Sequence, residues 1–297
     1  MPVAPALRLL RPRQWIKNLL VFAAPAAAGV LDRADDLART SLLFVAFCLA
    51  ASGTYCINDA ADAEADRSHP TKRTRPVAAG EITSPRAVAL GALLLAAGLG
   101  VAAVAGGWPT VGIVAAYVAL TTSYTLWLKH QAVIDIVAVA SGFVIRAVAG
   151  IVGTDLPLSD WYLIVAWFGS LFLVAGKRTT ELNLGSDAGL HRRSLEAYSD
   201  SFLLLVRSVS AGITLLAYCL WAFERADLGD GGFPWFQLSI LPFTTAMLRY
   251  ALVHSAEEHA GPEDIVLGDR TLLVLGAIWA AIMALGVYVA GTPPVAG

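Results

Sequence analysis

The chain has 297 residues, of which 57% are hydrophobic and 15% charged, with a formal net charge of −2. Soluble domains carry about 25% charged residues, so the composition excludes an ordinary water-soluble enzyme. The near-neutral balance also gives no general attraction to nucleic acid. Residues 87–128 run for 42 positions without Asp, Glu, Lys or Arg, a length that two membrane spans with a tight turn explain. Cys48, Cys56 and Cys219 are scattered in apolar surroundings. They give neither a disulfide framework nor a metal-ligand spacing and read as small apolar fillers.

Taken in chain order, apolar length and breakers predict nine spanning helices, at about 15–31, 40–58, 86–106, 109–128, 132–152, 160–182, 201–223, 235–255 and 271–292. Each is near the ~20 residues that cross the hydrocarbon core. The runs are continuous and rich in Ala and Leu, without the period-two alternation of a barrel strand. The basic N-terminus (Arg8, Arg11, Arg13, Lys17) continues into further apolar spans, unlike a cleaved signal. The loops at about 59–85 and 177–200 are long and polar, and no linker suggests a second domain, so 1–297 is expected to be one catalytic domain. Sixteen Lys and Arg fall on the N-terminal side of this layout and three, Arg33, Arg39 and Arg225, on the other. The positive-inside rule then puts the N-terminus in the cytoplasm and the C-terminus outside.

The second span ends in Asn58-Asp59-Ala60-Ala61-Asp62-Ala63-Glu64-Ala65-Asp66. In a continuous helix Asp59, Asp62 and Asp66 share one stripe. Three like charges there weaken the helix and ask for a cation, and hard oxygen ligands suit Mg²⁺, which usually completes its shell with substrate phosphates. A solvated acidic helix end is the plainer reading, but the stripe emerges directly from an apolar span. The following run, with Arg67, His69, Lys72, Arg73 and Arg75, fits the oxygens of a metal-bound diphosphate or simple positive-inside topology. His69 suits a general base or a loop cap. Lys17 suits a phosphate contact or interfacial snorkelling. Arg146 lies deep in the fifth span, 11 residues from Asp135, so both face one way. Pairing with a carboxylate and contact with substrate both remain open for Arg146. Arg207 is about two turns into its span. The eight Trp and the Phe residues read as interfacial belts and packing.

These residues carry a family resemblance. Asn58, Asp59, Asp62 and Asp66, then Arg75-Pro76 and Gly80, then Arg11-Pro12-x-Gln14-Trp15-x-Lys17-Asn18, and Tyr124 with Lys129 resemble the UbiA superfamily of intramembrane prenyltransferases. The resemblance implies an all-α integral membrane protein: a helical barrel around a central cavity open to the cytoplasm and laterally to lipid. Aromatic prenyltransferases of this family carry a second D-x-x-x-D motif after the sixth helix. Here that place reads Lys177-Arg178-Thr179-Thr180-Glu181, followed by His191-Arg192-Arg193-Ser194-Leu195-x-x-Tyr198-Ser199. This form is similar to the family's decaprenyl-phosphate phosphoribosyltransferase branch.

That branch implies Mg²⁺-dependent transfer of 5-phosphoribose from 5-phosphoribosyl 1-diphosphate to a polyprenyl phosphate, for arabinan cell-wall precursors. The enzyme would sit in a bacterial plasma membrane with its site facing the cytoplasm. Asp59, Asp62 and Asp66 then serve as catalytic metal ligands. Lys17, Asn58, Arg67, His69, Lys72, Arg75, Tyr124, Lys129, Arg146, Lys177, Arg178, Glu181 and Arg192 form the substrate-binding set. Lys177 is four residues from Glu181, so the two can pair on one helical face, while Arg178 points about 100° away. A quinone- or haem-precursor prenyltransferase would need a carboxylate-rich second motif. A transporter would place its charges near the midplane. Assembly into a homo-oligomer stays open.

Overall fold

The computed structural model describes residues 4–68, 72–183, 193–227, 233–256 and 261–289. Helix α1 (Pro5–Leu10) leads into a 3-10 helix (Pro12–Phe22) and α2 (Ala23–Ala27). There follow α3 (Ala34–Ala61), α4 (Ala63–Ser68), a 3-10 turn (Lys72–Thr74), α5 (Ser84–Gly106) and α6 (Trp108–Leu126). A second 3-10 turn (Leu128–His130) precedes α7 (Ile134–Gly153), α8 (Asp160–Asn183), α9 (Arg193–Glu196) and α10 (Asp200–Asp227). The chain continues through α11 (Trp235–Ala256), α12 (Pro262–Gly268) and α13 (Arg270–Tyr288). No strand occurs among the described residues.

Each long helix packs on the next one in chain order, and α13 returns to α2, which closes the ring. Helices α3 and α7 are the most buried spans because the N-terminal segment packs against both. Close backbone approach makes this possible. A Cβ at Gly150 would lie 2.0 Å from the Val21 carbonyl oxygen, and one at Gly53 would lie 2.8 Å from that of Gly91. One core joins α3, α5, α6 and α7 through Leu43 and Phe47, Ala102, Val114 and Tyr117, and Ala149 in turn. Outward, Leu93, Val104, Trp108 and Leu241 are 66–86% exposed, an apolar coat that suits lipid and not water.

Seven helices, α3, α5, α6, α7, α10, α11 and α13, are long and apolar enough to cross a membrane among the described residues. Two of the nine expected spans differ. Helix α8 has 24 residues, but charged residues at both ends dilute its apolar run, and it is not among the seven. The span expected at 15–31 is instead the 3-10 helix followed by α2, with 11 and 5 residues. A 3-10 coil rises ~2.0 Å per residue against 1.5 Å in an α-helix, so this segment still reaches about 30 Å. The acidic stripe also differs: α3 stops at Ala61, Asp62 caps it, and α4 resumes at Ala63. The break relieves the like-charge repulsion that a continuous helix would impose.

Gly91→Val should destabilise the α3–α5 contact by about 1–3 kcal/mol, because a Cβ there would lie 2.8 Å from Ile57 Cγ1 and 2.9 Å from the Gly53 oxygen. Gly100→Ala, with nothing within 4 Å, should be neutral or slightly stabilising. Thermal unfolding of the purified protein in detergent checks both.

Candidate active site

The end of α3, the end of α8 and the start of α7 meet at one pole of the ring, where α11, α12 and the N-terminal segment join them. Hydrogen bonds and ion pairs across that pole tie Lys129 to Asp62, Arg178 to Asp135, and Lys17 to Glu263. Thr180 Oγ1 lies 3.2 Å from His254 Nε2.

The 3-10 helix explains the Arg-Pro-x-Gln-Trp-x-Lys-Asn motif. With three residues per turn, side chains at i and i+3 eclipse. Arg11, Gln14 and Lys17 therefore form one row, and Trp15, Asn18 and Val21 another. In the first row Arg11 Nη2 donates to Asp59 Oδ1 at 2.5 Å. Gln14 Nε2 donates to Glu263 Oε1 at 2.9 Å. Lys17 Nζ lies 3.2 Å from the same Glu263 oxygen and donates to Gln14 Oε1 at 2.5 Å. Burial raises the Glu263 pKa, but Lys17, the residue's own backbone N–H and Gln14 outweigh it and hold the carboxyl below the usual range. In the second row Trp15 Nε1 donates to Ser52 Oγ at 3.0 Å. Fully buried Asn18 accepts from Arg146 Nε at 2.7 Å.

Asp59 and Asp66 are 1% and 4% exposed. Arg75 Nη1 stands between them, 3.3 Å from Asp59 Oδ1 and 2.7 Å from Asp66 Oδ2. The turn after Arg75 brings it there: Ala79 N–H donates to the Arg75 carbonyl at 2.8 Å, and Gly80 takes φ +77, the left-handed region that glycine tolerates. Lys129 Nζ is 3.5 Å from Asp62 Oδ1. Among the described residues no three His, Cys, Asp or Glu side chains are gathered to hold a metal ion; arginine and lysine nitrogens lie where the carboxylates converge. The donor set nevertheless fits a hard divalent cation, and Asp59 Oδ2 is buried without a hydrogen-bond partner. Asn58 is half-buried beside Asp59, Lys72 is half-buried in its turn, and Arg67 is exposed on α4. His69 and Arg192 lie outside the described residues.

The two cations of the basic motif on α8 differ in burial: Arg178 is 1% exposed and Lys177 is exposed. Arg178 pairs with Glu181, at 2.5 Å. The residue three positions on is also a helical neighbour, and burial of Arg178 demands the partner. Arg178 Nε also donates to Asp135 Oδ2 at 2.9 Å and Nη2 to Tyr124 Oη at 3.0 Å. Asp135, fully buried, accepts further bonds from the Tyr198 hydroxyl and, at 3.4 Å, from Ser194 Oγ. The downstream Ser-Leu-x-x-Tyr motif therefore fixes the carboxylate that fixes Arg178. Just before α7, Val133 takes φ +69, a strained value for a β-branched residue, and its N–H donates to the Tyr198 oxygen at 2.6 Å.

Asp135 is thus unavailable to Arg146, although both lie on α7. Arg146 bonds Asn18, the Tyr117 hydroxyl at 2.8 Å and the Gly142 carbonyl at 2.7 Å, and it lies 4.4 Å over the Tyr117 ring. Arg11, Asp135 and Glu263 were absent from the sequence-predicted site. The basic N-terminal motif held a signal for Arg11. Glu263 had none, since its partner Gln14 is 249 residues away.

With this geometry in place, the chain can be compared with known proteins. The UbiA prenyltransferase family profile matches residues 19–267. The chain belongs to that family. It is 46% identical to the decaprenyl-phosphate phosphoribosyltransferase of Mycolicibacterium smegmatis, over 96% of this chain and 93% of that one. It is 40% identical to the decaprenyl-phosphate phosphoribosyltransferase of Corynebacterium glutamicum, over 95% and 86%. Its fold resembles a UbiA homolog from Archaeoglobus fulgidus solved with GPP and Mg²⁺, with TM-score 0.72 and 18% identity over 96% of this chain and 99% of that one. In the UbiA family member described here, the pole of paired charges is the candidate active site.

Asp135→Asn should leave the buried Arg178 charge short of a partner and cost about 3–5 kcal/mol. Combining Asp135→Leu with Arg178→Met should recover most of that loss, since an apolar pair carries no desolvation cost. Unfolding midpoints of the two proteins test the difference.

Proposed function

We propose that this chain transfers 5-phosphoribose from 5-phosphoribosyl 1-diphosphate to decaprenyl phosphate, giving decaprenylphosphoryl 5-phosphoribose and diphosphate. The carrying observation is its 46% identity over nearly the full length to an enzyme named for that lipid and sugar. The lipid product would serve arabinan precursor synthesis. The whole chain would act as one transmembrane domain in a bacterial plasma membrane. Nine crossings are proposed, with α8 and the roughly 30 Å N-terminal segment added to the seven apolar helices. The N-terminus and the charged pole would face the cytoplasm, where a soluble, highly charged donor is available.

Asp59, Asp62 and Asp66 would hold Mg²⁺. When bound, Mg²⁺ neutralises charge that builds on the departing diphosphate. The protein's own groups account for the rest. Arg11 pairs with Asp59 and Arg75 with both Asp59 and Asp66, which orients the carboxylate oxygens in a buried place. Arg75, Lys72 and Arg67, with Lys17 and Lys129, supply cations for donor phosphates. Breaking the ribose C1–O bond develops positive character on the ring. The acceptor phosphate is already an anion, so attack needs no strong general base. The exposed Lys177 suits a phosphate contact. Buried Arg178 acts instead as a positioning residue that ties Tyr124, Asp135 and Glu181 together. Arg146 likewise fixes the N-terminal segment against α6 and α7. Asn58, His69 and Arg192 remain in the proposed substrate-binding set.

Purified protein given labelled donor, polyprenyl phosphate and Mg²⁺ should yield a lipid-linked phosphoribose, and chelation should abolish it. Asp59→Asn, Asp62→Asn and Asp66→Asn should each lower turnover more than tenfold, about 1.4 kcal/mol or more of transition-state stabilisation. No lipid product from the wild type, together with transfer of a prenyl group to an aromatic acceptor, would overturn the assignment.

A further inference from the structure

Helix α12 is seated by one apolar side chain. Ile265 is 1% exposed and packs with Phe172 of α8, Tyr250 of α11 and Leu272 of α13. Gly261 caps the helix and Pro262 opens it, which fixes the backbone of the first turn. Of the two carboxylates in that turn, Asp264 is exposed and Glu263 half-buried. Glu263 Oε1 meets both Gln14 and Lys17. Lys17 is the only cation within ion-pair distance of Glu263 among the described residues.

Gln14, Lys17 and Glu263 form a closed triangle. The Gln14 amide is engaged at both ends, Nε2 on the carboxylate at 2.9 Å and Oε1 on the ammonium at 2.5 Å. It cannot turn over without losing both bonds. The Lys17 ammonium has three N–H groups. It meets Gln14 at 2.5 Å and Glu263 at 3.2 Å and no other group among the described residues, so its direction is set while donor capacity remains. A lysine on a mobile stem loses rotamer freedom when it grips a ligand, and that loss weakens binding. In this triangle the freedom is already lost on folding. The row that carries Lys17 also carries Arg11, six residues and about 12 Å back along the 3-10 axis, and Arg11 is bonded to Asp59. Lys17 therefore lies on the side of the segment that faces the carboxylates. The second Glu263 oxygen, Oε2, is buried, so a phosphate arriving at Lys17 meets the ammonium before it meets the carboxylate.

We propose that Glu263 is a positioning residue, which acts through Gln14 and Lys17 to present a pre-oriented ammonium to a phosphate of the sugar donor. The inference rests on the phosphoribosyl-transfer reading, in which Lys17 meets such a phosphate, and it makes α12 a working part of the site. A carboxylate acting by charge alone would do the opposite: it repels a nearby phosphate, and its removal would tighten binding. The sign of the effect separates the two roles.

Calorimetry on the purified full-length protein in detergent with Mg²⁺, using 5-phosphoribosyl 1-diphosphate and farnesyl phosphate as separate probes, tests the role. Glu263→Ala should weaken the sugar donor by about fivefold or more and leave farnesyl phosphate within about twofold. In the transfer assay the Michaelis constant for the donor should rise in step, while kcat stays within about twofold. In a Lys17→Ala background, Glu263→Ala should cause no further loss of donor affinity, because its route to the substrate is gone. Glu263→Asp, which keeps the charge on a shorter arm, should recover part of the affinity. Gln14→Ala opens the triangle without touching α12 and should weaken the donor by about twofold or more. Unchanged or tighter donor binding in Glu263→Ala would overturn the proposal. So would a further loss on top of Lys17→Ala, which marks α12 as merely structural. If Glu263→Ala does not fold, Gln14→Ala decides, and wild-type donor affinity there would overturn the proposal equally. Donor binding that depends on Glu263 and Lys17 in a protein that forms no lipid product would sink the transfer reading alone.

Discussion

One nitrogen of Arg75, bonded to both Asp59 and Asp66, sets the terms for the rest of the molecule. Carboxylates this buried cannot stay charged without partners. The cations that serve the acidic stripe come from three separate stretches of chain: Arg11 before the 3-10 helix on Asp59, Arg75 after α4 on Asp59 and Asp66, and Lys129 after α6 on Asp62. Holding those stretches at one pole fixes where the helices begin and end. It explains the break at Asp62, the positive-φ turn at Gly80 and the close packing of α3 on α5. The site and the ring therefore depend on each other, since the pairing of these charges also draws the loops together.

The cations at this pole fall into two physical kinds. Arg178 and Arg146 are enclosed, and each bonds groups from at least one other helix. Their planar donor forks suit that fixing role better than a lysine would. Lys177 and Arg67 are exposed, and Lys129 and Lys72 half-exposed, so their charges remain in reach of solvent. A basic residue in this motif-rich sequence is thus not by itself a substrate contact. Burial separates the cations that hold the protein together from those that solvent can reach.

Much of this was legible in the sequence because membrane physics writes long messages. Runs of about twenty apolar residues announced directly the seven helices that are long and apolar enough to cross a membrane, and the acidic ending of α3 stood out against them. The N-terminal segment was misjudged because apolar length does not distinguish an α-helix from a 3-10 coil. Only the eclipsed rows, Arg11-Gln14-Lys17 and Trp15-Asn18-Val21, disclose the tighter winding, and their meaning needs the partners to be known. The Arg178–Glu181 contact was not foreseen because helical spacing alone does not say which of two adjacent cations is buried. Asp135 was visible, but its assignment to Arg178 depends on Ser194 and Tyr198, about sixty residues later.

What the sequence could least convey was closure. Glu263 belongs to a seven-residue helix near the end of the described chain, yet it anchors Lys17 and Gln14 near the beginning. Helix α12 therefore couples the last helices of the ring to the motif that supports Asp59. The coupling runs through one short, half-buried carboxylate contact, whereas the Asp135 node is fully enclosed and held by three side chains. The two nodes thus close the ring in different ways, one by an enclosed carboxylate that fixes an arginine and one by a partly exposed carboxylate that reaches the start of the chain.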